Sequence, residues 1–213
     1  MKTGSATDSE VVTKARAYVE ALLRAKKPEW IKFHTFEHAE AVVRTCKEMG
    51  LASRLSDEEL EILVLAAWFH DVGYVETVEG HEENSVEIAV SFLRMNGFPE
   101  DKIGQVAGYI RATKMPQTPK SPLEQLLCDA DVAHLASRDF SRLSELIRYE
   151  MEHQIGRKLS EIEWLTRNTN FVAGHKYFTH YAQVNFREQL EKNVATLKKK
   201  LARARLQEEK EKG

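Results

Sequence analysis

Eight consecutive apolar residues, Ile62-Leu63-Val64-Leu65-Ala66-Ala67-Trp68-Phe69, end without transition on His70-Asp71. Just upstream, Ser56-Asp57-Glu58-Glu59 has the form of a capping box, so the run reads as the body of a helix that Gly73 breaks. A helix with this composition has no solvated side, and the rest of the chain must wrap around it. Its last residues then put an imidazole and a carboxylate at the edge of a core, where charge is costly. Groups in that position are metal-competent or suited to acid–base work.

The remainder reads as further helices around that one. Gly and Pro are sparse, at 10 and 5 of 213 residues, while Leu, Ala, Glu and Lys are plentiful, which predicts an all-α fold. Val11, Ala15, Tyr18, Val19, Leu22 and Leu23 recur at helical spacing up to Pro28. An aromatic-rich stretch from Trp30 to His38 enters a second helix with Ala39, Val42, Val43, Cys46 and Met49 inside, and Gly50 is its expected stop. His81-Glu82 leads a helix carrying Val86, Ala89, Val90, Phe92 and Leu93, and another runs from Phe98-Pro99-Glu100 to about Thr113. After a loop marked by Pro116 and Pro119, Ser121-Pro122-Leu123-Glu124 starts a helix with Leu126, Leu127 and Ala130 on one side. Leu143, Leu146, Ile147 and Met151 mark the next, and Ser160-Glu161-Ile162-Glu163 caps another. A long final helix is expected from about Tyr177 past Leu201, with Val184, Leu190, Val194, Leu197 and Leu201 inside. The expected organisation is a disordered N-terminus (1–9), a single helical domain (10–205) and a charged tail (206–213).

Charge and cysteine usage narrow the partners. With 31 basic and 33 acidic residues, the formal charge of −2 pulls the chain toward neither nucleic acid nor an anionic membrane. Lys198-Lys199-Lys200, Arg203 and Arg205 lack interleaved aromatics and read as a solvated helix end. Cys46 and Cys128 have no neighbouring thiol with which to form a metal knuckle or redox pair, and reduced thiols fit a cytoplasmic protein. No apolar run approaches the ~18 residues of a membrane span. A homodimer is compatible with all of this.

The polar residues that interrupt apolar helices are His38, His70, Asp71 and Asp131. Two imidazoles and two carboxylates suit a divalent ion (Mn, Fe, Co, Ni, Zn or Mg), with positions left for water and substrate, and Asp71 could bridge a second ion. His34 lies four residues before His38. The pair shares a helical face if the helix begins by His34; if it begins at Thr35, His34 sits in the loop above that face. Such pairs also occur on solvated surfaces. Asp129 and Asp131 point about 200° apart, so facing solvent is the ordinary reading for one of them and not for both.

The order His, His-Asp, Asp on successive helices resembles the HD-domain superfamily of metal-dependent phosphohydrolases. Phe33-His34-Thr35-Phe36-Glu37-His38-Ala39-Glu40-Ala41-Val42 is similar to the Tyr-His-Asn-x-x-His-Ala-x-x-Val segment of its cyclic-nucleotide phosphodiesterase branch. A wider resemblance is to bacterial predicted metal-dependent HD-superfamily phosphohydrolases. It runs through Ala-Trp-Phe-His-Asp at 67–71, Glu-x-x-Ser at 82–85, Ile-x-x-Thr-Lys at 110–114, Asp-Ala-Asp at 129–131, Ile-Arg-x-Glu at 147–150 and Asn185-Phe186-Arg187. The resemblance implies His38, His70, Asp71 and Asp131 as metal ligands, with Asp129 supporting Asp131. It implies His34 as proton donor, Asp71 and Glu82 in catalysis, and Lys114, Thr113 and Arg148 on substrate phosphate, with Arg187 a further candidate. Pro116 stands where the bacterial group often has His, and Thr35 where the phosphodiesterases have Asn. The expected function is metal-dependent hydrolysis of a phosphoester in a small molecule, with a nucleotide as the favoured class. The alternatives are a non-catalytic metal- and nucleotide-binding sensor, or a di-iron oxygenase.

Overall fold

The structure, a computed structural model, describes residues 8–212, so the expected disordered N-terminus lies outside the described residues up to position 7. Among the described residues there are ten α-helices and two short 3-10 turns. The helices are α1 (Glu10–Lys26), α2 (Phe36–Ala52), α3 (Asp57–Phe69), α4 (His81–Met95), α5 (Glu100–Ala112), α6 (Pro122–Asp131), α7 (Phe140–Gln154), α8 (Glu161–Gly174), α9 (His180–Asn185) and α10 (Arg187–Lys212). The 3-10 turns are Val72–Val75 and Val132–Ala136. The sequence carries no linker, yet the chain packs as two compact units. The first holds α1 and His34–Asp131; the second holds Glu29–Phe33 and the chain from Val132 onward.

In the first unit, α3 is the central element and packs on α1, α2, α4, α5 and α6. Every residue from Ile62 to Phe69 is buried, as an unbroken apolar run requires. The capping box is present: Ser56 accepts the Glu59 N–H, and the Glu59 carboxylate accepts the Ser56 N–H. Tyr18, Phe69 and Phe92 form an aromatic cluster with centroids 4.9–6.1 Å apart, and Phe36 stacks on Trp68 at 5.5 Å. Gly50 does not stop α2, which continues to Ala52. Its missing side chain instead makes room for α3, because a Cβ there would lie 2.8 Å from Leu60 Cδ1. Gly73 also works through close approach: a Cβ would fall 2.0 Å from the His81 carbonyl oxygen, so the turn after α3 can lie directly on the start of α4. The Gly73 N–H donates to Ser85 Oγ at 2.8 Å, locking that junction.

In the second unit, α8 packs along α10, burying Trp164, Leu165, Val172 and Leu197. Asn193 on α10 donates to the carbonyls of Leu135 (2.8 Å) and Ser137 (2.9 Å), tying the helix to the 3-10 turn. The expected continuous final helix is broken at Phe186, whose ring meets Tyr177 and Tyr181 edge-on at 5.2 and 6.0 Å. The break resets the register, leaving Val184 56% exposed instead of inside. The expected charged tail is a continuation of α10 through Lys212.

Candidate metal centre

Three helix ends in the first unit supply the centre. Thr35 in extended conformation precedes α2, which puts His38 in its first turn and leaves His34 in the loop before it. Phe69 ends α3, His70 caps it with α-region angles, and Asp71 (φ −113°, ψ 4°) turns the chain into the 3-10 turn. Asp131 is the last residue of α6.

One ligand atom each from His38, His70, Asp71 and Asp131 lies within 4.8 Å of the other three. Asp71 Oδ2 is 3.1 Å from His70 Nε2 and 3.4 Å from His38 Nε2; Asp131 Oδ1 is 3.5 and 3.3 Å from the same two nitrogens. His70 Nε2 and Asp71 Oδ2 are nonetheless buried without a hydrogen-bond partner. Two complementary groups at that distance that fail to bond are aimed at a shared point rather than at each other. Leaving them orphaned would be costly in a core, and a divalent cation at that point satisfies both. His70 Nδ1 lies 2.8 Å from the Ala67 carbonyl, so its N–H donates there and Nε2 faces the centre.

The electrostatics are those of two imidazoles and two carboxylates compensating one another. Burial pulls the His38 and His70 pKa values down, but Asp71 and Asp131 outweigh it and hold both above the ordinary imidazole range, His70 well above. Burial pushes the Asp71 and Asp131 carboxyls up, and the histidines reverse this, holding both below the ordinary carboxylate range.

Around the four lies a ring of further groups. His81, the first residue of α4, has Nε2 3.4 Å from Asp71 Oδ1 and 3.7 Å from Glu82 Oε1, and Glu82 is buried. Burial lowers the His81 pKa, but Asp71 dominates and raises it. Tyr74 stacks with both His34 (4.2 Å, 15°) and His81 (4.0 Å, 28°). Asp129 is fully buried in α6 and is not one of the four. Thr113 is buried, donating from Oγ1 to the Ile110 carbonyl, and Lys114 is exposed at the end of α5.

Arg148 belongs to the second unit, where Nε bonds Glu152, one terminal nitrogen bonds Glu161 and the other bonds the Leu159 carbonyl. Sequence reasoning gave no role to Tyr74, because an aromatic at the end of an apolar run reads as core. The role of Glu150 also went unseen: its buried carboxylate accepts the N–H groups of Lys32 and Phe33, both at 2.5 Å. Its only outward sign was its place in the Ile-Arg-x-Glu segment.

Residues 35–136 match the family profile described as HD domain. A crystal structure of a Lactobacillus plantarum protein is similar with a TM-score of 0.68, covering 94% of this chain and 98% of that one at 14% identity. The crystal structure of a predicted HD superfamily hydrolase from an uncultured Thermotogales bacterium is similar with a TM-score of 0.54, covering 90% and 91% at 16% identity. At such identities the likeness is one of fold, an all-α bundle with a long C-terminal helix. Among curated proteins no sequence matches this chain.

Proposed function

We propose, from the HD domain at residues 35–136, that this chain is a metal-dependent phosphohydrolase acting on a phosphoester of a small molecule, with a nucleotide as the favoured substrate class. The observation that carries this reading is the convergence of His38, His70, Asp71 and Asp131 within 4.8 Å, with His70 Nε2 and Asp71 Oδ2 buried and unbonded. A closed structural zinc site would normally use thiolates; two imidazoles and two carboxylates leave coordination positions open for reactants.

When bound, a divalent cation supplies Lewis acidity toward phosphoryl oxygens and acidifies water toward neutral pH. The chain's own groups do the rest. His34, in the loop one turn before His38, is assigned the proton given to the departing oxygen, a contribution of about 10²–10⁴-fold for a well-placed acid. His81, with Glu82 beside its Nε2, holds the outer oxygen of Asp71 and keeps the inner oxygen turned to the centre. Lys114 and Thr113 are assigned to substrate phosphate. Arg148 is engaged within the second unit by Glu152, Glu161 and the Leu159 carbonyl, which makes Lys114 the stronger candidate.

The test is metal analysis of the purified protein, followed by a screen of phosphorylated metabolites after reloading with each of Mn, Fe, Co, Ni, Zn and Mg. Asp71→Ala should abolish metal-dependent turnover while far-UV dichroism keeps its helical amplitude. Undiminished turnover in metal-free protein would contradict the reading. Nucleotide binding without product would point instead to the sensor.

A further inference from the structure

We propose that Tyr74 is the positioning residue for His34: its ring, held between two imidazoles, fixes the plane of His34 and the nitrogen that His34 presents. The role given to His34 rests on the phosphohydrolase reading above, whereas the stack itself is plain geometry. The ring centroids of His34 and His81 lie 4.2 and 4.0 Å from that of Tyr74, with planes inclined by 15° and 28°. Two near-parallel rings at such distances cannot share one face, so Tyr74 is sandwiched between them.

Of the three rings, His34 has the least support from its backbone. It precedes α2, so no helical turn restricts its χ1, and it is only half-buried. The other two rings are anchored. His81 begins α4, and its Nδ1 lies 2.8 Å from the Val78 carbonyl, to which it donates, leaving Nε2 facing Asp71. Tyr74 is 7% exposed, and its N–H donates to the Asp71 carbonyl at 3.1 Å. Gly73 presses the same turn against α4. Tyr74 is therefore a rigid wall against which His34 lies, and its hydroxyl, 3.4 Å from His34 Nε2, distinguishes one ring nitrogen from the other.

Orientation is what a general acid needs. As the bond from phosphorus to the leaving oxygen breaks, the imidazolium N–H of His34 passes its proton to that oxygen. Water supplies the oxygen that joins phosphorus and releases a proton to solvent, and His34 regains one from solvent. A nitrogen displaced by ~1 Å, or a ring turned the other way, forfeits about 10²-fold of such an advantage. A leaving group that departs unaided does not feel the loss.

Two esters separate these cases: glycerol 2-phosphate, whose alkoxide needs a proton, and p-nitrophenyl phosphate, whose phenolate does not. At equal metal content, Tyr74→Leu should lower kcat for glycerol 2-phosphate by about 10²-fold with KM little moved, and should lower p-nitrophenyl phosphate turnover by less than about 10-fold. Tyr74→Phe, which keeps the stack but not the hydroxyl beside Nε2, should recover only part of the loss. Tyr74→Leu combined with His34→Asn should be no slower than His34→Asn alone. Equal losses on both esters, or losses that multiply in the double variant, overturn the proposal.

If the wild type cleaves neither ester, it is the phosphohydrolase reading that fails, and if His34→Asn affects both alike, it is the assignment of His34 as acid. The placement of its ring is then decided by ¹⁵N resonances of histidine-labelled protein. His34 should show one tautomer in the wild type and an averaged pattern in Tyr74→Leu, and an identical pattern in both overturns the proposal.

Discussion

His70 has its tautomer set by the backbone before any cation arrives. With Nδ1 donating to the Ala67 carbonyl, Nε2 is the atom that either takes a proton or meets a metal. Burial opposes protonation, but Asp71 and Asp131 outweigh it and hold the pKa well above the ordinary imidazole value. A group raised in the fold contributes stability that is fully present below its unfolded value, about 6.5, and is lost as pH rises through the folded value. Metal binding has the opposite sense, since the cation displaces that proton. Titration calorimetry of metal-free protein in two buffers of different ionisation enthalpy should show proton release on binding, with affinity rising from about pH 6.5 upward. Affinity indifferent to pH over that range would mean the ring is not a ligand. His38, His70 and Asp71, with an aspartate at 129 or 131, stood out in the sequence because each lies in or at the end of a helix that otherwise reads as core. Glu150 did not: its partners, the amides of Lys32 and Phe33, lie 118 and 117 positions away, and no local spacing records that. Choosing Asp131 over Asp129 needed the family pattern, because periodicity alone shows only that the two point apart.

The elements matter chiefly for where they stop. The cap of α3 was legible in full, since Ser56 and Glu59 satisfy each other's backbone within four residues. Two stops were not. Gly50 was read as a helix terminator, a local rule, but its use is non-local, in making room for Leu60. The break at Phe186 depends on Tyr177 and Tyr181 closing on its ring, and nothing in the apolar spacing of Leu190, Val194 and Leu197 marks it. Gly73 has the largest consequence, because the turn it belongs to carries Asp71 and Tyr74. A methyl group there meets backbone, the His81 carbonyl oxygen at 2.0 Å, and no rotamer can relieve it. Gly73→Ala should destabilise the protein by about 1–3 kcal/mol in urea melts, and it should weaken cation binding in the protein that remains folded. If both midpoint and affinity stay at wild-type values, the close approach does not matter.

For the whole molecule, the division into two units puts every member of the four-residue cluster in the first, while the second has its own internal contacts. One of those is titratable. Lys158, then the Leu159 N–H and Arg148, hold the Glu152 carboxyl down to about 2 against the effect of burial. A depressed carboxyl contributes stability that is present above its ordinary value, about 4.5, and lost as pH falls toward the folded value. The Leu159 amide shift should therefore titrate with a midpoint near 2, and Glu152→Gln should lose less stability than wild type between about pH 4.5 and 2; a midpoint near 4.5 removes the assignment.

The same division shapes how a cation redistributes stability. At a free concentration about 1,000 times Kd, binding to the folded state alone adds about 4 kcal/mol. All four donors sit on α2, on α6 and at the end of α3, so that increment belongs to openings that disrupt these three helices. Openings confined to α8 and α10 leave the donors assembled and gain nothing. Amide hydrogen exchange with and without the cation should then show strong added protection in α2, α3 and α6, and little in the amides of α8 and α10 that exchange through local opening. Equal slowing throughout would mean that the slowest amides of both units exchange only when all four donors are released together, and that the units unfold as one.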